Sequence, residues 1–159
     1  MNNLILALIL SFLPVSELRG GLPIAINYAL KKNIPIILVF FLVVFINILI
    51  IFFVFLFFDY LHKNFMKIKI YKKFFSFYMK RIEKKSKIIE RRIGIIGYIA
   101  LMLFVAVPFP TTGAWTGSII AWFLKLDRKK SIISISFGVL LAGIIVLLAT
   151  LGFMSFFKI

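Results

Sequence analysis

Two polar segments that contain Gly and Pro each divide a short apolar stretch: Pro14-Val15-Ser16-Glu17-Leu18-Arg19-Gly20-Gly21-Leu22-Pro23 and Pro108-Phe109-Pro110-Thr111-Thr112-Gly113-Ala114-Trp115-Thr116-Gly117. Each divided stretch is followed, after a basic turn, by one apolar span of full membrane length. Paired interruptions at corresponding positions of two halves are typical of the binding site of a membrane transporter. The sequence therefore predicts a small membrane transporter.

The composition excludes an ordinary soluble domain. The 159 residues are 63% hydrophobic with a mean hydropathy of +1.11, which is typical of an integral membrane protein. The formal net charge is +15, and most of the basic residues lie between Lys63 and Arg92, beside apolar spans. Anionic lipid headgroups are nearer partners for such residues than nucleic acid. We expect membrane lipids as partners and no nucleic acid.

The reactive side chains are few. The chain has no cysteine, one histidine, His62, and five carboxylates, so it predicts no disulfide, no thiol chemistry and no metal site. No nucleophile and base are paired in the sequence, and we expect neither an enzyme nor a bound cofactor. Coupling of transport to a proton or to sodium stays open. The bias toward Lys, Ile, Phe and Asn suggests an AT-rich genome and the cytoplasmic membrane of a prokaryote.

Two stretches are long enough to cross a bilayer. Residues 34–58 contain only Asn47 as an interior polar residue, and residues 132–157 are interrupted only by Ser, Thr and Gly. Both exceed the roughly 20 residues that a helix needs to cross a hydrocarbon layer of about 30 Å. We predict a transmembrane helix over each.

Four shorter apolar stretches are typical of half-helices. They cover residues 4–13, 22–30, 93–107 and 114–126. Joined in pairs, they predict two re-entrant hairpins, residues 1–31 and 93–126, whose loops meet each other because unpaired peptide groups in lipid cost several kcal/mol. The predicted fold class is an all-α, multi-pass membrane protein of 159 residues in one domain, built as an inverted repeat of re-entrant hairpin and transmembrane helix. An alternative makes residues 4–30 one kinked, membrane-crossing helix.

The connector of residues 59–92 is strongly basic and predicts a cytoplasmic location. Apolar and basic residues alternate in it with helical spacing over 71–85, which predicts an amphipathic helix on the membrane surface. Small residues recur four apart after each interruption and predict close helix packing: Gly21, Ala25 and Ala29, then Gly113, Gly117 and Ala121. A chain this small suggests a homodimer that encloses the re-entrant loops.

The candidate site combines one acid and one base with two helix starts. Glu17 and Arg19 are the ionisable residues that we place at membrane depth, where a charge costs about 2.5–3.5 kcal/mol and usually marks function. A purely structural pair that pins the loop is the alternative. Half-helices that begin near Pro23 and Gly113 would direct N–H groups at the loops and favour an anion such as phosphate. The candidate substrate-binding and coupling residues are Glu17, Arg19, Gly20, Gly21, Pro23, Pro108, Pro110, Thr111, Thr112, Gly113, Trp115, Thr116 and Gly117.

At these two segments the chain resembles the small multidrug export family. The resemblance covers nearly the whole chain, and that family is in turn similar to the DedA superfamily, also called VTT or SNARE-associated. The DedA resemblance implies paired re-entrant hairpins and a lipid-phosphate substrate, since DedA members include polyprenyl-phosphate translocases and lipid scramblases. This chain departs from the DedA pattern: it has one membrane-depth acid instead of two, and no Arg in the second loop, where Arg128 is a candidate substitute.

Three functions follow from the sequence as hypotheses. The first is a transporter of an amphiphilic anion, a polyprenyl phosphate or a phospholipid, in which Arg19 binds and Glu17 gates or exchanges a proton. The second is a proton-coupled exporter of cationic drugs that uses Glu17. The third is a membrane scaffold that gathers anionic lipid with its basic connector helix, and it predicts that Glu17 and Arg19 are dispensable.

Overall fold

The computed structural model describes residues 3–65, 67, 94–109 and 112–156. This part of the chain is helical and contains no strand. Its six helices are α1 (Asn3–Phe12), α2 (Glu17–Lys31), α3 (Ile36–Phe65), α4 (Gly94–Ala106), α5 (Ala114–Phe123) and α6 (Arg128–Phe156). The predicted amphipathic helix of the connector lies outside the described residues.

Helices α1 and α2 form an antiparallel hairpin. A Cβ atom on Gly21 of α2 would overlap Ser11 and the carbonyl oxygen of Ala7 in α1, so the two backbones lie in close contact. At about 1.5 Å of rise per residue, a continuous helix would hold residues 7 and 21 roughly 20 Å apart. The alternative of one kinked helix over residues 4–30 is therefore wrong. The half-helix also starts at Glu17 and not near Pro23, which lies inside α2.

Helices α4 and α5 form the second hairpin. Val105 near the end of α4 lies against Gly117 in α5, while Tyr98 near the start of α4 contacts Asp127 just beyond α5. The two helices therefore run antiparallel, and α5 begins at the predicted position, directly after Gly113.

Helices α3 and α6 are the two candidate membrane spans by length and composition. They run antiparallel, because Phe40 of α3 lies near Gly143 of α6 while Asp59 near the end of α3 contacts Arg128 at the start of α6. Both helices are longer than predicted: α3 continues to Phe65 and α6 starts at Arg128.

Large apolar side chains on α3 and α6 are exposed. Phe41, Phe137 and Leu148 are 56%, 56% and 65% exposed, and similar residues recur along both helices. Soluble monomers rarely expose such continuous apolar surface. The opposite faces pack into the core through residues such as Val43, Ile50 and Ile135. This distribution is that of helices in contact with lipid on one side and with protein on the other.

The two hairpin tips meet beside the middle of α3. Phe53, near the centre of α3, packs its ring 5.7 Å from that of Phe12 at the end of α1 and 5.9 Å from that of Trp115 in the first turn of α5. From this level α2 runs back toward the start of α3, whereas α5 runs toward its end, where Trp122 contacts Asp59. The hairpins thus approach each other from opposite ends of the long helix.

Matching turns follow α2 and α5. Asn33 and Lys125 both have left-handed backbone, with φ of 51° and 50°. In each turn the next residue donates its N–H five residues back, Ile34 to Ala29 at 2.9 Å and Leu126 to Ala121 at 3.0 Å. This is a Schellman ending of both helices. The small-residue faces occupy equivalent places before these turns, and the inverted repeat stays a prediction.

Candidate functional site

Glu17 is the buried acid of the site. It is the first residue of α2 and has φ of 45°, a left-handed conformation that costs a non-glycine residue about 1–3 kcal/mol. Its side chain crosses to the second hairpin, where Oε1 accepts a hydrogen bond from the backbone N–H of Trp115 at 3.2 Å. The N–H of Ala114 also faces this carboxylate, and Glu17 is only 5% exposed. An acid of the first hairpin thus caps the first turn of α5.

Gly113 makes room for this contact. It is the residue before α5, and its backbone is extended with φ of −166°, which any residue can adopt. A Cβ atom here would overlap Oε2 and the carboxyl carbon of Glu17. Glycine is therefore required for the space that its missing side chain leaves.

Arg19 binds the other side of the second loop. One terminal nitrogen of its guanidinium donates to the carbonyl oxygen of Phe109 and the other to that of Thr112, and the second nitrogen lies 3.6 Å from Oε2 of Glu17. The Thr112 hydroxyl lies 2.7 Å from the carbonyl oxygen of Val107 and accepts a hydrogen bond from the N–H of Phe109. Thr112 thereby shapes the turn that presents both carbonyl groups to Arg19.

Trp115 provides a third contact between the hairpins. Its indole N–H donates to the carbonyl oxygen of Phe12 at 2.9 Å, and its ring packs edge to face against that of Phe12. This bond satisfies a carbonyl group at the end of α1 that has no partner within that helix.

The pair binds groups of opposite polarity on the second hairpin. The start of α5 carries partial positive charge, which favours the carboxylate of Glu17. The carbonyl oxygens of Phe109 and Thr112 in the loop after α4 accept hydrogen bonds from the guanidinium of Arg19. In this arrangement the protein's own carboxylate occupies the N–H groups that the sequence assigned to an anionic substrate. The first hairpin therefore fills the gap, by which we mean the space between the end of α4 and the start of α5 where Glu17 and Arg19 lie.

The comparison with protein families covers the chain from the start of α2 into α6. The profile of a family described as "Putative small multi-drug export protein" matches residues 17–145. The chain belongs to this family. No curated protein and no solved structure matches the chain. Family membership and the exposed apolar helices together identify this export-family chain as a membrane protein. The first residue of the match is Glu17, the acid of the site.

The other predicted site residues of this family member fall into two groups. Gly21 and Gly117 lie in helix contacts, the first against α1 and the second against Val105 and Ile135. Four further residues lie apart from the Glu17–Arg19 pair. Gly20 lies against Ser16 one turn back, and Pro23 lies inside α2. Pro108 is exposed after α4, and Thr116 lies on α5 opposite Ala114. Pro110 and Thr111 are outside the described residues.

A second polar cluster, which the sequence did not indicate, lies at the far end of α5. Asp59 accepts hydrogen bonds from the indole N–H of Trp122 at 2.8 Å and from Arg128 at 2.9 Å, and the Arg128 guanidinium lies over the ring of Phe55. Arg128 thus pairs with Asp59 at Trp122, about 10 Å of helix beyond the contact of Glu17 with Trp115, and does not supply the second loop with a cation. No group of three or more potential metal ligands occurs in the described ranges.

Proposed function

We propose that the protein transports an amphiphilic anion, a polyprenyl phosphate or a phospholipid, through the contact between its two hairpins. One observation carries the proposal: a carboxylate is already held by the N–H groups that start α5, 3.2 Å from the nitrogen of Trp115 and beside Arg19. Backbone N–H groups at a helix start bind carboxylate and phosphate alike. A phosphate group has more oxygen atoms and more charge than Glu17 and can replace it there.

In this proposal Glu17 and the substrate compete for one site. With Glu17 bound, the hairpins are closed on each other. When a lipid phosphate takes the N–H groups of Ala114 and Trp115 together with Arg19, the Glu17 carboxylate leaves and the hairpins can separate. The opposite directions of α2 and α5 along α3 support an inverted repeat, in which the two hairpins open to opposite sides of the membrane.

We include in the proposal the cytoplasmic membrane of a prokaryote as the location, and a homodimer that shields the hairpins from lipid. The protein needs no bound cofactor for this function and performs no covalent chemistry. The similarity to the DedA superfamily stays a prediction that favours the same substrate class.

Reconstituted liposomes with a labelled polyprenyl phosphate test the proposal. Wild type should move the lipid across the bilayer, and Arg19→Ala should reduce the rate to that of empty liposomes, because a phosphate in the gap loses its cation. Arg19→Lys, which keeps the charge but not the paired donors, should fall between them. Lys32→Ala, which removes an exposed cation beyond α2, is the matched control and should transport at the wild-type rate. Wild-type rates equal to empty liposomes, or Arg19→Ala equal to wild type, would contradict the proposal.

A second candidate is a proton-coupled exporter of cationic drugs, which the family description favours. Here Glu17 exchanges between a proton and the drug. In a drug-sensitive host this version predicts that Glu17→Gln abolishes resistance while Asp59→Asn, at a half-exposed carboxylate outside the gap, retains it. Resistance that survives Glu17→Gln excludes this candidate.

A further inference from the structure

Two buried hydroxyl groups have no hydrogen-bond partner within the described residues. They belong to Ser118 in α5 and Ser131 in α6, and both residues are 0% exposed. Leaving a buried donor and acceptor unsatisfied costs about 1–3 kcal/mol. Such groups in native proteins need an explanation, and ordered water is a common one.

Other buried or half-buried helical side chains of this protein solve the same problem locally. The hydroxyl of Ser11 donates to the carbonyl oxygen of Ala7 at 2.7 Å, and that of Thr150 donates to Val146 at 2.7 Å, each four residues back. Ser118 and Ser131 have an equivalent carbonyl group four residues back, at Ala114 and Asp127, and do not use it. Their hydroxyl groups therefore lack the local hydrogen bond that satisfies Ser11 and Thr150.

The positions of the two serines connect the buried site to an exposed end. Ser118 lies one turn beyond Ala114 on the same side of α5, and the N–H of Ala114 faces Glu17. Ser131 lies in the first turn of α6, on the same face as Ile135, and Ile135 lies against Gly117, the neighbour of Ser118. Along the contact of α5 with α6, the hydroxyl groups thus succeed each other from Glu17 toward Arg128.

We propose that Ser118 and Ser131 line a narrow water-filled path that joins the Glu17 site to the aqueous phase at the Asp59–Arg128 end. Water molecules would supply the missing hydrogen bonds of both hydroxyl groups. The half-exposed Asp59 and Arg128 side chains, each 48% exposed, keep the outer end of the path polar. The path extends the proposed function by giving its carboxylate contact with water on one side while the hairpins remain closed.

Cysteine substitution tests the path directly, since the natural chain has no cysteine to react. Ser118→Cys and Ser131→Cys change one atom each, and Ser11→Cys is the matched control, equally buried but with a hydroxyl that already has a partner. A small hydrophilic thiol reagent that does not cross membranes is added to two vesicle preparations, in which the protein exposes opposite faces to the outside. Lys129→Cys, at an exposed position next to Arg128, marks the side of the membrane on which the path should open.

We expect Ser118→Cys and Ser131→Cys to react at least about ten times faster than Ser11→Cys, and only from the side that labels Lys129→Cys, because thiol reactivity requires contact with water. Reaction of either variant at the rate of Ser11→Cys overturns the path. If one variant does not fold, the other gives the same test. The labelling does not depend on substrate. The water path can therefore be disproved while lipid transport is confirmed, and transport can be disproved while the water path is confirmed.

Discussion

Gly113→Ala should destabilise the protein sharply, because the new methyl group overlaps the carboxylate of Glu17. The carboxylate must move, which breaks its bond to Trp115 and separates it from Arg19. Overpacking a close contact costs about 1–3 kcal/mol, and the stranded polar groups add to it, so we expect a fall in melting temperature of roughly 5–10 °C in detergent. Lipid transport should fall with it.

Two controls separate the overlap from a general effect of alanine. Gly152 lies inside α6 with no neighbouring atom within 4 Å of a new Cβ, and Gly152→Ala should leave stability unchanged or raise it by up to about 1 kcal/mol. Combined with Glu17→Ala, Gly113→Ala should cost much less than it does alone, since the overlapping carboxylate is gone. Additive losses in the double variant would show that Gly113 matters for another reason.

Removal of either charge of the Glu17–Arg19 pair should destabilise the protein. Arg19→Ala should cost about 3–5 kcal/mol, because it leaves the buried carboxylate of Glu17 without its partner. Glu17→Ala should cost less, because the Arg19 side chain that remains is 18% exposed. Glu17→Ala also strands the N–H groups of Ala114 and Trp115, and Arg19→Ala strands the carbonyl groups of Phe109 and Thr112. The stability losses of both variants are measured by thermal unfolding in detergent, with gel filtration to detect the folded protein that remains. The double variant should be less damaged than the sum of the two single variants.

The pair of Arg128 and Asp59 is the matched control. Its charged atoms lie 2.9 Å apart, closer than the 3.6 Å of Arg19 and Glu17, but both side chains are 48% exposed. Exposed pairs contribute only about 0–1 kcal/mol because water screens them. Asp59→Ala should therefore have a small effect on the free energy of unfolding. Equal losses at the two pairs would mean that burial does not decide their strength.

The helices were predictable where composition alone determines them. The apolar stretches that became α3 and α6 exceed the length of the bilayer, and their identification needs no knowledge of packing. The start of α5 after Gly113 was also predictable, since a helix start after glycine and threonine leaves a clear local signal. The meeting of the two polar segments followed from the cost of unpaired backbone groups in lipid.

The errors lie where tertiary contacts override local signals. Glycine and proline at Gly20, Gly21 and Pro23 indicated a loop. These residues are instead helical, because packing of α2 against α1 stabilises the first turns of α2. The sequence singled out Glu17 and Arg19 but could not show that they reach backbone groups about ninety residues away. Backbone donors and acceptors carry no residue-type signal, so the partners of this pair appear only in three dimensions.

Cross-linking of the two hairpin tips tests the central claim most directly. In the double variant Phe12→Cys/Trp115→Cys, a short membrane-permeant reagent with two thiol-reactive ends should join the cysteines within one chain, because the two rings lie 6.1 Å apart. Phe12→Cys/Phe123→Cys, which moves the second cysteine to the far end of α5, roughly 12 Å further along the helix, should not be joined. Absence of the first cross-link in a folded protein, or equal formation of both, would contradict the account.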